Sequence, residues 1–206
     1  MLWIIQSHRH QQITKKIKIN MITEDKILKN TDKYFKTAET HGFMTDELLD
    51  FLGEDFIKAP ASTATNLHNS FEGGLIAHLL LTAKYAVSIN NVLPDNMKVE
   101  LPSLLKVSLL HQIGKAKLYK PLESKWHNDR GIMYEFADEA TSLRVGERSA
   151  IYALSNGITL SEDEFQAIIN HDKDDTDKQA KWHSSTLAVV LRQANELAIM
   201  EEKSGI

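Results

Sequence analysis

The chain has 206 residues, and its 42% hydrophobic and 25% charged content is typical of one ordinary globular domain. A formal net charge of -4 at pH 7 argues against a protein whose whole surface binds polyanions. The absence of cysteine excludes a disulfide scaffold, a thiolate metal site and a cysteine nucleophile, and no apolar run reaches the roughly 18 residues that span a bilayer. We therefore expect a cytoplasmic protein without membrane association.

Residues 1–20 differ in character from the rest of the chain. They contain basic but no acidic residues and show no helical apolar repeat. One interpretation is a basic arm for nucleic acid or a partner protein. The other, which we favour, is an extension ahead of a natural start at Met21. We thus predict an atypical extension over 1–20 and a single domain over 21–206, with nucleic acid contacted through 1–20 if at all.

The remaining chain predicts an all-α fold with one small β-hairpin. Thr23, Thr45 and Ser161 are suitable helix caps, and Glu164 completes a capping box with Ser161. The spacing of the apolar residues changes from a helical to a strand-like period near 124–137, around Asn128-Asp129-Arg130-Gly131, and this indicates a β-hairpin. The helices are predicted at about 23–42, 45–60, 72–89, 102–113, 147–155, 161–171 and 184–202.

Five polar side chains interrupt apolar helical segments. They are His78, His111, Gln112, His171 and Asn195. Buried polar groups are normally hydrogen-bonded or bound to a ligand. Each one alone is more often a satisfied core residue than a ligand, so their meaning depends on whether they act together.

Their order along the chain resembles the HD-domain metal-dependent phosphohydrolases of the small single-domain type. The segment His111-Gln112-Ile113-Gly114-Lys115 is similar to the signature His-Asp-Ile-Gly-Lys of that superfamily. The resemblance extends over about 21–202. Its other blocks are Ala59-Pro60-Ala61-Ser62-Thr63, His68, Phe71-Glu72-Gly73-Gly74-Leu75, His78, Gly146-Glu147-Arg148-Ser149, Ala167-Ile168-Ile169-Asn170-His171 and the helix Leu187 to Ala198.

The resemblance implies a helical bundle that holds a divalent metal through a His, a His-Asp pair and a closing Asp. The metal, Mn, Fe or Mg, activates water to attack a phosphate ester, usually of a nucleotide. The family positions are occupied here by His78, His111, Gln112 and Asn195. Two carboxylates are thus replaced by neutral amides, and Val145 stands where the family has a further His. We expect no bound cofactor, and we assign no catalytic residue.

Three hypotheses remain open at this point. In the first, a degenerate, non-catalytic module binds a nucleotide or phosphate, a protein partner or a second copy of itself. Its ligand-binding residues would be His78, His111, Lys115, Arg148 and His171, with Arg192 as a further candidate. In the second, a weak phosphohydrolase keeps a metal on His78, His111 and His171, or rebuilds its site with Asp172, Asp174 or Asp175. In the third, the domain is a purely structural subunit of a larger assembly.

Overall fold

The computed structural model describes residues 24–173 and 184–204, and this part of the chain is mainly helical, as predicted. The extension over 1–20 and the acidic residues Asp174 and Asp175 lie outside the described residues. None of the described helices is long and apolar enough to cross a membrane. The helices are α1 Glu24–Thr40, α2 Asp46–Lys58, α3 Gly74–Val92, α4 Leu101–Leu110, α5 Lys125–Asn128, α6 Val145–Ser155, α7 Glu162–Asn170 and α8 Thr186–Ser204, with 3-10 turns at Asp95–Met97 and Ile113–Lys115.

Side-chain caps set two helix starts where the sequence predicts them. The Leu48 backbone N–H donates to Thr45 Oγ1 at 3.1 Å before α2. Before α7, the Glu164 N–H donates to Ser161 Oγ at 3.2 Å, and the Ser161 N–H donates to Glu164 Oε2 at 2.9 Å. These bonds satisfy backbone donors that a helix leaves free at its first turn.

The small antiparallel sheet is present, but its first strand precedes the predicted segment. Strand β1 (Tyr119–Pro121) pairs with β2 (Tyr134–Phe136), Lys120 lying opposite Glu135. Residues 125–128 form the single helical turn α5 instead of a strand, because the Ser124 carbonyl accepts the backbone N–H groups of His127 and Asn128. The sheet confirms a small β element beside a helical bundle.

Helix α3 lies at the centre of the bundle and packs against α4 and α8. Its Leu75, Ile76 and Leu79 are at most 1% exposed, so this helix is buried on several sides. Helix α1 is fixed to the core by Tyr34, whose hydroxyl donates to the Leu109 carbonyl of α4 at 3.0 Å. The burial of α3 and α4 is what carries their few polar side chains into the interior.

Two connections hold neighbouring helices at fixed distances. Between α3 and α4, the Asn90 amide mimics a backbone pair: its Nδ2 donates to the Val99 carbonyl and its Oδ1 accepts from the Val99 N–H, both at 2.9 Å. The turn after α4 meets α6 at Gly114, where an added Cβ would lie 2.8 Å from the Val145 carbonyl oxygen. Helix α4 ends at Leu110, before the predicted Ile113, and Gly114 allows this close backbone approach.

Candidate functional site

The residues singled out by the resemblance converge in one buried cluster, here called the amide cluster: His78, His111, Gln112, Lys115, His171 and Asn195. They come from α3, the end of α4, the following turn, the end of α7 and the middle of α8. Every member is at most 7% exposed. Because α4 unwinds after Leu110, His111 and Gln112 turn towards α8 while Lys115 approaches from the adjacent 3-10 turn.

The Asn195 carboxamide lies at the centre of the amide cluster. Its Oδ1 is 3.0 Å from His78 Nε2, 3.3 Å from Gln112 Nε2 and 3.4 Å from His111 Nε2. Gln112 Nε2 is also 3.4 Å from His171 Nε2. The two amides therefore bond to each other, Asn195 bonds to His78, and Gln112 lies within hydrogen-bond distance of His171.

Backbone acceptors determine the proton positions on two of the histidines. The carbonyls of Ser108 and Ile168 lie 2.9 Å and 2.8 Å from Nδ1 of His111 and His171. A carbonyl only accepts, so both Nδ1 atoms carry hydrogen in the neutral ring, and both Nε2 lone pairs face the cluster. The 3.4 Å approach of His111 Nε2 to Asn195 Oδ1 is then a contact between two acceptors.

The histidines of the amide cluster are neutral at physiological pH. Burial lowers the pKa of His78 to about 3 and that of His171 to about 4, although Asp172 opposes the shift at His171. Burial, followed by the neighbouring His171 and His78, lowers the pKa of His111 well below its usual value. Neutral imidazoles can act as metal ligands or hydrogen-bond acceptors, but they do not attract anions by charge.

Lys115 carries the positive charge of the amide cluster. Its Nζ donates to the Ala61 carbonyl at 2.6 Å and to Gln112 Oε1 at 2.7 Å. Burial lowers the pKa of this amine to about 8, while Glu202 and Asp172 raise it. Both acceptors are neutral, so no carboxylate of the described residues is in hydrogen-bond contact with the ammonium.

Glu202, in the last turn of α8, completes the surroundings of His78 and was absent from the residues selected by sequence. Its Oε2 lies 2.9 Å from His78 Nδ1, and its Oε1 accepts from Asn69 Nδ2 at 2.6 Å. Burial raises its pKa to about 8. The pair with His78 is therefore a hydrogen bond between neutral groups: the carboxyl donates to Nδ1, and His78 Nε2–H donates to Asn195.

The structure shows other contacts for Arg148, Arg192, Asp172 and Val145, and the remaining candidates lie outside the described part of the chain. Arg148 Nη2 donates to the Thr141 carbonyl at 2.6 Å, and Arg192 Nη1 donates to the Lys173 carbonyl at 3.4 Å. Asp172 follows His171 and influences it through charge. Val145 begins α6 and contributes its carbonyl to the contact at Gly114.

The described residues contain one group of His and carboxylate side chains close enough to share a metal ion. Its members are His68, His78 and Glu202, whose ligand atoms lie within 4.8 Å of one another. His111 and His171 do not belong to this group. Comparisons of the chain with protein-family models, with curated proteins and with solved structures found no match.

Proposed function

We propose that the chain is an HD-domain-like protein that has lost metal-dependent phosphohydrolase activity and binds a nucleotide or another phosphate-bearing ligand. The observation that carries this proposal is the direct bonding of the two amides at the centre of the amide cluster. Asn195 and Gln112 stand at the positions of the family carboxylates and bond to each other at 3.3 Å.

The loss of charge explains why hydrolysis is not expected. A hard dication such as Mn²⁺, Fe²⁺ or Mg²⁺ is held largely by anionic oxygen ligands. The amide cluster offers neutral amides, neutral imidazoles and the ammonium of Lys115, which repels a cation. Neither amide is a general base, and burial lowers the pKa of His111 and His171, so a water molecule there would lack a strong Lewis acid and would have only weak bases beside it.

The same charge balance favours an anionic ligand. Within the described part of the chain the buried Lys115 ammonium bonds to neutral acceptors alone, which is costly, and an anion in contact with it would offset that cost. Lys115 has three N–H donors, of which two are used by Ala61 and Gln112. A phosphate oxygen accepting the third would make a charge-assisted hydrogen bond.

Thermal denaturation with a panel of nucleotides and inorganic phosphate tests ligand binding. We expect at least one phosphate compound to raise the melting temperature by mass action. Lys115→Met should abolish that shift, and Lys36→Met, which removes an exposed lysine of α1, should retain it. Absence of any shift in the wild type would contradict the phosphate ligand and favour a structural subunit or a protein-binding module.

Elemental analysis and turnover assays test the loss of catalysis. We expect less than stoichiometric Mn or Fe after dialysis and at most marginal phosphatase or phosphodiesterase activity with nucleotides. Robust turnover that His111→Ala abolishes would overturn the proposal.

The alternative of a weak phosphohydrolase is favoured by one specific observation. The Nδ1–H groups of His111 and His171 are occupied by backbone carbonyls, so their Nε2 lone pairs face the cluster in the orientation usual for metal ligands. With His78 they would form the ligand set. Metal-dependent turnover lost in His171→Ala as well as His111→Ala would support this alternative.

A further inference from the structure

A second group of ligand-type side chains lies on the other side of the His78 ring from Asn195. Glu202 Oε2 is 2.9 Å from His78 Nδ1, and the His68 ring centroid is 4.9 Å from that of His78. Each of the three side chains has one possible ligand atom, and these three atoms lie within 4.8 Å of one another. The group combines the loop before α3, α3 itself and the last turn of α8.

His68 has a buried nitrogen that the fold leaves unused. Its Nε2 is inaccessible to solvent and has no hydrogen-bond partner among residues 24–173 and 184–204. Buried side-chain nitrogens are almost always bonded, and an exception requires an explanation such as an ion. No hydrogen bond to another described residue explains why the His68 side chain points inward, where it lies beside His78 and Glu202.

His78 is oriented to present a lone pair to the same point. Asn195 Oδ1 accepts from His78 Nε2–H, with the two atoms 3.0 Å apart. In the neutral ring Nδ1 is then an acceptor and faces Glu202. Asn69 holds the other carboxyl oxygen at 2.6 Å, which fixes the direction of the Glu202 head group. Outer partners of this kind are usual around metal ligands.

We propose that His68, His78 and Glu202 form a zinc-binding site, distinct from the centre of the amide cluster, that ties the loop before α3 to the end of α8. Two imidazoles and one carboxylate are an established ligand set for zinc, which leaves a fourth position for water. Zinc would displace the proton that the Glu202 carboxyl donates to His78 Nδ1 and release it to solvent. Tetrahedral ligands at the usual zinc distances lie roughly 3.3 Å apart. The ligand atoms lie within 4.8 Å of one another, so side-chain rotations that shift an atom by roughly 1–2 Å would bring the three to that spacing.

Nearby charges select among metals. Lys115 and Lys203 place positive charge near His68. Glu201 places a second negative charge next to Glu202. One carboxylate among these lysines is a weak anchor for Mg²⁺ or Mn²⁺, which depend on anionic oxygens. Zinc gains much of its affinity from imidazole nitrogen, so it is the metal that this ligand set favours.

The site is tested by zinc titration of the full chain after treatment with a chelator, with elemental analysis of the dialysed product. We expect one zinc per wild-type chain and, with Co²⁺ as a substitute, the visible absorption of a four-coordinate ion. His68→Ala and Glu202→Gln should each weaken zinc binding by more than the roughly 10–100-fold that loss of an outer partner produces. His41→Ala, which removes a histidine after α1, should bind like the wild type.

Two further variants separate this inference from the proposed function. His111→Ala and His171→Ala should retain zinc, since neither residue belongs to the ligand set. If they lose it while His68→Ala retains it, the zinc belongs to the amide cluster and the proposal is wrong. The proposal is likewise overturned if the wild type binds no zinc. The phosphate-dependent melting shift should persist in His68→Ala, because that shift depends on Lys115. Metal-free melting curves of His68→Ala and Glu202→Gln establish that each variant is folded.

Discussion

Lowering the pH from 7 to 5.5 is expected to destabilise the protein, because the fold buries neutral histidines. Burial lowers the pKa of His78 to about 3 and that of His171 to about 4, and it lowers the pKa of His111 well below its usual value. In the unfolded chain the same imidazoles take up a proton near pH 6.5. Below that pH the unfolded state binds more protons than the folded state, so stability falls as the solution is acidified.

Glu202 acts in the opposite direction. Burial raises the pKa of its carboxyl from 4.5 to about 8, so the folded state holds a proton that the unfolded state has lost. Its contribution is complete below the unfolded pKa and disappears as the pH rises through about 8. Burial also lowers the pKa of His68 to about 2. Between pH 7 and 5.5 the four histidines together lose about 5 kcal/mol, while Glu202 regains about 2 kcal/mol. The net loss of about 3 kcal/mol corresponds to a melting temperature lower by about 6–12 °C.

Thermal denaturation followed by circular dichroism, with chelator present at both pH values, measures this loss. Glu202→Gln removes the compensating carboxyl, so its loss of stability between pH 7 and 5.5 should exceed that of the wild type by about 2 kcal/mol. His41→Ala serves as a control, with a decrease equal to that of the wild type. If the wild type keeps or gains stability on acidification, the buried histidines are already protonated in the fold and the reasoning is refuted.

Three further predictions concern the amide cluster, the contact at Gly114 and the N-terminal extension. The double change Gln112→Asp with Asn195→Asp should make the stability of the protein depend on Mn²⁺. Two carboxylates about 4 Å apart repel each other by about 4 kcal/mol, and a bound dication would relieve this repulsion. Melting curves that do not change when Mn²⁺ is added would contradict the site assignment. Gly114→Ala should cost about 1–3 kcal/mol in chemical denaturation, because its Cβ would lie 2.8 Å from the Val145 carbonyl oxygen; unchanged stability would mean that the backbone shifts freely. A chain that begins at Met21 should melt within a few degrees of the full chain, and a large decrease would mean that residues 1–20 pack on the domain.

Local chemistry made most helix positions predictable from the sequence. Thr45 and Ser161 cap α2 and α7 where expected, since capping depends on residues only a few positions apart. The end of α4 was predicted less well: the apolar run continues to Ile113, whereas the helix stops at Leu110. That boundary depends on the contact of Gly114 with α6, which no local pattern contains. The first strand was placed too late for a related reason, because β1 is defined by its partner β2.

The structure brings together five polar side chains that the sequence singled out: His78, His111, Gln112, His171 and Asn195. Their pattern of hydrogen bonds could not be predicted from the sequence. Gln112 is one methylene longer than the family Asp, and this length lets its amide reach both Asn195 and His171. Glu202 was overlooked because an acidic residue near the end of a helix usually faces solvent. Its position seven residues after Asn195, on the same face of α8, is a signal that would have identified it.

The paired hydrogen bonds of the Asn90 amide with Val99 have a consequence for the segment between α3 and α4. They join the two ends of this connection directly, so its ends are held together without any contribution from the residues between them. The 3-10 turn Asp95–Met97 forms the tip of the connection and has no buried residue. A doubling of loop length costs only about 0.6 kcal/mol in closure entropy. A peptide tag inserted between Asp95 and Met97 should therefore leave the domain folded, which makes this tip a suitable place for a fluorescent label or an affinity handle.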